Sequence, residues 1–371
     1  MIIPLQPDDP IVRFPALYNA YPVRNEVAGS SAAIGERSSP LPHTCFIDDA
    51  YGRIYDQSVA ECMALYGQSA NMNFYTSFPK REVVDELRVP FRRIPIYSID
   101  SLDDIDECVQ MAAAVNTSHQ ILLRGQTTLY RIDRPAGESE ILYGGPVTEP
   151  SFLPSHLRAK FDETLLTSLW HSLTAILIND LSYDITHIDD AVAKEALQDA
   201  HRMRHLFLFD MLALGIAQHY GLPSVGLDLT DDKYSAAWFA LNNVHIEDGK
   251  ARAPLADASQ DRLIFMFRCP PDAVFDYSKV RPKVFPECRP DRQRAWFGHV
   301  GWGHAKNQLG SYLMCGFRLP DSAVEELPKG FTQRLFPDAE DDGVLQLLQK
   351  LRARNCYEGE AKRALDRLYA F

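Results

Sequence analysis

A predicted turn in this chain is surrounded by side chains that could take part in chemistry. Gln218, His219 and Tyr220 precede Gly221, and Asp228 follows in an apolar stretch that favours a buried strand. A histidine can act as a base or contact a ligand, and a tyrosine ring can stack on a nicotinamide or a nucleobase. Because buried polar groups cost free energy unless they are paired or used, this turn is the first candidate site.

The same side chains also have structural interpretations. His219 would stabilise the end of a helix through the helix dipole, Tyr220 would belong to the core, and Gln218 would bond the backbone of the turn. Thr230, a candidate for cofactor binding, would instead cap the helix that follows it. The sequence leaves both sets of interpretations open.

Arg124 is a candidate from a different part of the chain. It follows the apolar run 120–123 and precedes Gly125, so its guanidinium and the nearby backbone suit a pyrophosphate or a ribose. Alternatively, Arg124 would form a structural ion pair with Asp228. Gln126, two residues further on, is a second cofactor-binding candidate in this segment.

Other chemistries find less support in the sequence. His201 and His205 have a spacing that could hold a metal ion, but Arg202 and Arg204 lie between them and repel a cation, so we expect no metal. The motifs of P-loop, Rossmann and α/β-hydrolase proteins do not occur in the sequence, which argues against those classes.

Hydrophobic periodicity predicts the elements that would position these residues. Helices are expected at residues 56–66, 101–116, 161–181, 194–220, 233–241, 344–354 and 358–369, and strands at 120–123, 227–229, 263–268 and 311–319. Gly221 suits the position just after a helix, and Pro223 prevents the helix from continuing. The mixture predicts an α+β fold, with helices packed around a mostly antiparallel sheet.

Composition narrows the functional class further. The 371 residues carry a net charge of -12, which argues against a broad nucleic-acid-binding face. The seven cysteines include no C-x-x-C pair, which is typical of a reducing cytoplasm. We find neither a signal-peptide pattern nor an apolar run of membrane-spanning length, so we expect a cytoplasmic protein that does not bind membranes.

Several segments, in order, resemble the FRG domain family, which is named for its Phe/Tyr-Arg-Gly motif. They are Leu-Arg-Gly-Gln at 123–126, Leu-Pro-Ser-His-Leu-Arg at 153–158, Gln-His-Tyr-Gly-Leu-Pro at 218–223, Asp228 with Thr230, Ala-Ala-Trp-Phe-Ala at 236–240, Arg-Gln-Arg-Ala-Trp-Phe at 292–297 and Leu-Phe-Pro-Asp at 335–338. The resemblance implies an FRG domain over residues 96–342. C-terminal helices at 343–371 would pack on this domain.

Residues 1–95 would then form an irregular, proline-rich N-terminal extension. This extension is expected either to pack on the main domain or to bind a partner protein.

Three positions depart from the family pattern. Val225 stands where an arginine is usual, Leu229 where a tryptophan is usual, and Leu123 where Phe or Tyr is usual. The missing arginine points to a changed ligand or a weakened activity. The segment Asn-Gln-Leu-Gly at 307–310 could also be aligned in place of the segment that contains Gln293.

The family's layout resembles that of the ADP-ribosyltransferases, although similarity of layout is a limited guide to function. It implies an enzyme that uses NAD or a related nucleotide as substrate and modifies a macromolecular or small acceptor. Its catalytic residues would be Arg124, His219 and Gln293. The nucleotide would be bound by Arg124, Gln126, Tyr220, Asp228 and Thr230.

The alternative is a sensor that binds a nucleotide or a protein without turnover, for example in bacterial or phage-defence signalling. Val225 and the neutral Gln293, where ADP-ribosyl transfer usually relies on a carboxylate, favour this alternative. Glu287 could supply a carboxylate, but a solvated loop acid is its simpler interpretation. A nuclease finds little support, because no clustered carboxylate–lysine pattern occurs and the chain is acidic.

Overall fold

The computed structural model describes residues 45–48, 50–51, 53–56, 78, 80–90, 92–134, 136, 139, 143, 146–186, 191, 194–195, 198, 207–247, 250–281, 287–299, 307–354 and 356–371. The helix predicted at 56–66 lies outside these described residues except for Asp56, which belongs to a strand and not to a helix. Most of the N-terminal extension, and His201 with His205, also lie outside them.

The strands are short and occur along the whole described chain. They are β1 (Cys45–Asp48), β2 (Arg53–Asp56), β3 (Val83–Val89), β4 (Arg92–Ser98), β5 (Gln120–Gln126), β6 (Arg131–Asp133), β7 (Thr148–Pro150), β8 (Gly226–Thr230), β9 (His245–Glu247), β10 (Lys250–Arg252), β11 (Leu263–Cys269), β12 (Val274–Asp276), β13 (Ala295–His299) and β14 (Leu313–Arg318).

The helices are α1 (Asp103–Val115), α2 (Ser155–Ala159), α3 (Glu163–Thr186), α4 (Phe207–His219), α5 (Lys233–Leu241), α6 (Tyr277–Val280), α7 (Arg289–Arg292), α8 (Phe331–Leu335), α9 (Gly343–Ala353) and α10 (Gly359–Leu365). Turns of 3₁₀-helix lie at Gln308–Tyr312 and Asp321–Val324. The fold is therefore α+β.

The chain divides into two compact units, each built from separate stretches of sequence. The first takes Met1–Leu153, Ala258–Pro270 and Val300–Ala323, and the second takes Pro154–Asp257, Pro271–His299 and Val324–Phe371. The division of the chain at residues 95 and 342 stays a prediction.

In the first unit, the main strands lie in the order β5-β11-β14-β4-β3. Neighbouring strands are antiparallel, except that β14 and β4 are parallel. Every residue of β11 is buried, which explains why residues 263–267 are apolar on both faces rather than alternating. Two shorter antiparallel pairs, β1 with β2 and β6 with β7, belong to the same unit.

In the second unit, strands lie in the order β12-β13-β8, all antiparallel. Helix α4 packs on β8 and on α3, and its residues 211–217 are all buried. A helix that is apolar all round must be enclosed in this way. Helices α9 and α10 also contact α3.

The predicted elements agree with the observed ones at most positions. The prediction for α5 matches at both ends, and α4 ends at His219 with Gly221 just beyond at a φ of +83°. The strand predicted at 120–123 is longer than expected, because β5 continues through Arg124 to Gln126. No helix among the described residues is both long and apolar enough to cross a membrane.

Candidate functional site

The C-terminal end of α4 places His219 against Gln293, the residue that caps the end of α7. Both residues are buried, and His219 Nδ1 lies 3.0 Å from Gln293 Oε1. The amide nitrogen of Gln293 donates to the Leu335 carbonyl at 3.1 Å. Because this bond fixes which end of the amide is the oxygen, Nδ1 of His219 must be the donor to Oε1.

The other ring nitrogen of His219 faces Asp228 on β8. Nε2 lies 3.3 Å from Asp228 Oδ1, an ion-pair distance without the alignment of a hydrogen bond. Gln218 donates from Nε2 to Asp228 Oδ2 at 2.9 Å. The Asp228 carboxylate is therefore held by the hydrogen bond from Gln218, and the ring of the next residue of α4, His219, lies beside it.

Asp228 differs from His219 and Gln293 in its accessibility. Its side chain is 32% exposed, whereas that of His219 is 3% exposed. Next to it, the half-buried Gln218 has an oxygen, Oε1, that is enclosed and accepts no hydrogen bond within the described part of the chain. The site thus exposes part of the Asp228 carboxylate, which suits a ligand that carries hydroxyl donors, whereas the Gln218 oxygen lies beneath the surface.

Tyr220 points into the interior. It is fully buried, and its hydroxyl donates to the Asp342 carboxylate, with distances of 2.9 and 2.7 Å to the two oxygens. Burial, with the nearby Cys288 and Asp342, raises the pKa of Tyr220 well above its usual value. The expected stacking of Tyr220 on a ligand stays a prediction, and the observed contacts of this residue are structural.

Arg289 is an important residue that the sequence reasoning missed. It is completely buried, and it donates from Nη1 to the His219 carbonyl at 3.0 Å and from Nη2 to the Tyr369 carbonyl at 3.3 Å. Its guanidinium also lies over the rings of Tyr220, Phe336 and Tyr369, at 4.7, 5.3 and 4.8 Å from the ring centroids. A cation at the end of α4 is favoured by the helix dipole.

Thr230 bonds to the segment that carries Gln293. Its hydroxyl donates to the Gln293 carbonyl at 3.0 Å and accepts from the Asp232 amide at 3.0 Å. The expectation that Thr230 caps the following helix is wrong: Asp232 is the N-cap of α5, because its carboxylate accepts from the Ser235 amide. The role of Thr230 in cofactor binding stays a prediction.

Arg124 and Gln126 belong to the first unit, on β5. They alternate with Gly125, so they lie on the same face of the strand. Arg124 is half-buried opposite Phe265, and Gln126 is buried opposite Leu263. Their roles in binding a nucleotide, and the ion pair of Arg124 with Asp228, stay predictions.

The remaining candidates are simple to place. Glu287 is exposed, as expected for a solvated loop acid. Within the described ranges, no group of three or more His, Cys, Asp or Glu side chains is arranged to hold a metal ion.

Comparison with known families gives one finding. The model of the FRG domain matches residues 158–249, a stretch that contains Gln218, His219, Tyr220, Asp228 and Thr230 but neither Arg124 nor Gln293. No curated protein and no solved structure matches the chain.

Proposed function

We propose, from the premise that the chain carries an FRG domain, that it is an ADP-ribosyltransferase-like enzyme. It uses NAD or a related nucleotide and modifies a macromolecular or small acceptor. In this proposal the ribose of the nucleotide is bound at Asp228, and the fold is related to that of the ADP-ribosyltransferases.

The observation that carries the proposal is the Asp228 carboxylate, which is partly exposed, is held in place by Gln218 and lies beside His219. A ribose presents two neighbouring hydroxyls, which are hydrogen-bond donors. The carboxylate of Asp228 is an acceptor that is partly exposed, so it can accept from such donors.

The chemistry requires a negative charge near the anomeric carbon. The bond between C1′ and the nicotinamide nitrogen breaks, its electron pair leaves with the nicotinamide, and positive charge develops on C1′ and the ring oxygen. An acceptor oxygen or nitrogen then bonds to C1′ and releases its proton to solvent. A fixed carboxylate stabilises the developing positive charge without reorganising during the step, and Asp228 takes this role.

In this scheme His219 and Gln293 are positioning residues. Gln293 bonds to Leu335 and His219, and His219 faces Asp228. Gln293 therefore fixes the orientation of the His219 ring, and this ring forms one wall beside the Asp228 carboxylate.

The experiment compares Asp228→Asn with Asp231→Asn in assays of nicotinamide release and of label transfer from NAD. Asp231 lies three residues away, is 37% exposed and pairs with Arg294 at 2.8 Å, so its substitution removes the same charge from the same segment. We expect Asp228→Asn to lower turnover by about 100-fold or more, as for other fixed groups that stabilise transition-state charge. Asp231→Asn should leave turnover within about twofold, as expected for an exposed pair. Equal rates for the two variants would refute the role of Asp228.

A second candidate function is nucleotide sensing without turnover. Gln293 favours it, because this neutral side chain is buried and uses both ends of its amide within the protein. In that case NAD would raise the melting temperature of the wild-type protein but not that of Asp228→Asn, and no nicotinamide would be released. Arg124→Ala in the same assays tests the separate prediction that Arg124 contacts the nucleotide.

A further inference from the structure

A nucleotide whose ribose lies at Asp228 needs a surface for the planar ring attached to that ribose. The sequence suggested Tyr220 for this contact. Tyr220 is fully buried and its hydroxyl is bonded to Asp342, so its ring is not available without a rearrangement of the core. The aromatic contact should therefore come from another residue.

Tyr369 lies at the same turn and is half-buried. Its ring rests directly on Gly221: a methyl group on that glycine would be 2.4 Å from Cδ1 of the ring. Gly221 lies three residues after Gln218 and two after His219, the two residues of α4 whose side chains lie against Asp228. Burial raises the pKa of Tyr369, the Arg289 guanidinium lowers it, and the charge of Asp228 raises it.

The ring of Tyr369 is fixed by its surroundings. The Arg289 guanidinium lies 4.8 Å from the ring centroid, and the same side chain bonds to the Tyr369 carbonyl. The next residue, Ala370, accepts a hydrogen bond from the Ala251 amide at 2.6 Å, and Phe371 packs on Phe336 with a centroid distance of 4.2 Å. A ring that is already held in place loses little conformational entropy when a ligand packs on it.

We propose that Tyr369 is the aromatic residue that contacts the planar ring of the nucleotide bound at Asp228. This inference rests on the proposed function. A side chain at position 221 would displace the ring of Tyr369 from the turn, in addition to the strain of the positive φ there.

The direct test uses NMR on the full chain with labelled tyrosine. With NAD added, we expect nuclear Overhauser contacts between the Tyr369 ring protons and the aromatic protons of NAD. The signal is assigned by its disappearance in Tyr369→Phe, which keeps the ring but not the tyrosine label. The contacts are measured on the wild-type protein, and the melting temperature of Tyr369→Phe shows that the variant used for the assignment is folded.

Affinity provides the second measurement. We expect Tyr369→Leu to raise the Kd for NAD about tenfold, the effect of losing one stacking ring, whereas Tyr369→Phe stays within about twofold. Melting temperatures show whether the two variants remain folded.

The outcomes separate the two proposals. The proposed function stands if NAD binds to the wild-type protein and Asp228→Asn weakens this binding. The assignment of Tyr369 is wrong if, in the same experiments, no contact between Tyr369 and NAD is seen and Tyr369→Leu binds NAD as tightly as Tyr369→Phe does. If the wild-type protein does not bind NAD, the proposed function fails and the role of Tyr369 fails with it.

Discussion

Replacing Gln293 by glutamate separates a ligand-contacting role for this residue from a positioning role. If Gln293 touches the ribose, a carboxylate should stabilise the developing positive charge better than an amide, and turnover should rise. If Gln293 holds His219 in place, the same change removes the amide nitrogen that donates to the Leu335 carbonyl. Protein stability should then fall and turnover should not rise.

The size of the effect follows from the contacts of Gln293. Loss of the bond to Leu335 costs about 1 kcal/mol, and a buried carbonyl left facing a carboxylate oxygen costs about 1 to 3 kcal/mol more. The bond from His219 Nδ1 can remain, because a glutamate keeps the Oε1 acceptor. For a chain of 371 residues, a loss of about 2 to 4 kcal/mol corresponds to a fall in melting temperature of about 3 to 5 °C.

The destabilisation should also depend on pH in a defined direction. The protonated form of the introduced carboxyl can donate to Leu335, whereas the ionised form cannot, so folding raises the pKa of this carboxyl. The native state then binds more protons than the unfolded state, and stability falls as pH rises above about 4, the usual range for a glutamate. The difference from wild type should therefore be smallest in acid.

Differential scanning calorimetry at several pH values measures the effect, and Gln333→Glu is the matched control. Gln333 is exposed on α8, two residues before Leu335, so the same chemical change should shift the melting temperature by less than about 2 °C. A Gln293→Glu protein as stable as the control, with faster nicotinamide release, would refute the positioning role.

Three further predictions concern the surroundings of this site and the first unit. Gly221→Ala should destabilise the protein by clearly more than Gly359→Ala in urea unfolding: both glycines have positive φ, which costs about 1 kcal/mol for alanine, but only at Gly221 would the new methyl group also meet an aromatic ring. Arg289→Lys should lower the free energy of unfolding by about 3 kcal/mol or more, because an ammonium cannot donate to both carbonyls in the geometry of the guanidinium. The control Arg292→Lys, on the half-buried face of the same helix, should lower it by less than about 0.5 kcal/mol. Equal losses for the two variants would contradict this account. Burial raises the pKa of Tyr97 to about 12. Between pH 10 and 12 the native state therefore keeps a proton that the unfolded state releases. The free energy of unfolding should fall more steeply with pH in this range for the wild-type protein than for Tyr97→Phe.

Local sequence patterns predicted the elements around the site because their causes are local. Helix α4 ends where Gly221 can adopt a positive φ and Pro223 blocks continuation, and α5 begins after a polar residue that caps it. Even here one expectation was wrong, because Asp232 and not Thr230 caps α5. Both residue types are good caps, and which one reaches the free amides depends on the path of the chain after β8.

The contacts of the site could not be predicted in this way. Gln293 lies 74 residues from His219 and 42 from Leu335, and Arg289 lies 70 from the carbonyl that it binds. No sequence periodicity connects such positions. The strand pairing that sets Phe297 opposite Asp228 brings the Gln293 segment beside β8, and this pairing is a property of the folded chain.

The sequence by itself determined the α+β class, the turn at Gly221 and the residue types of the candidate site, because composition, periodicity and turn chemistry act over a few neighbouring residues. Tertiary structure alone decided which of those residues is accessible. It buried His219, Tyr220 and Gln293, left the carboxylate of Asp228 partly exposed, and brought Arg289 and Tyr369 to the same turn. The physical reason is that burial and hydrogen-bond partners are set by packing between segments far apart in sequence, which no local pattern encodes.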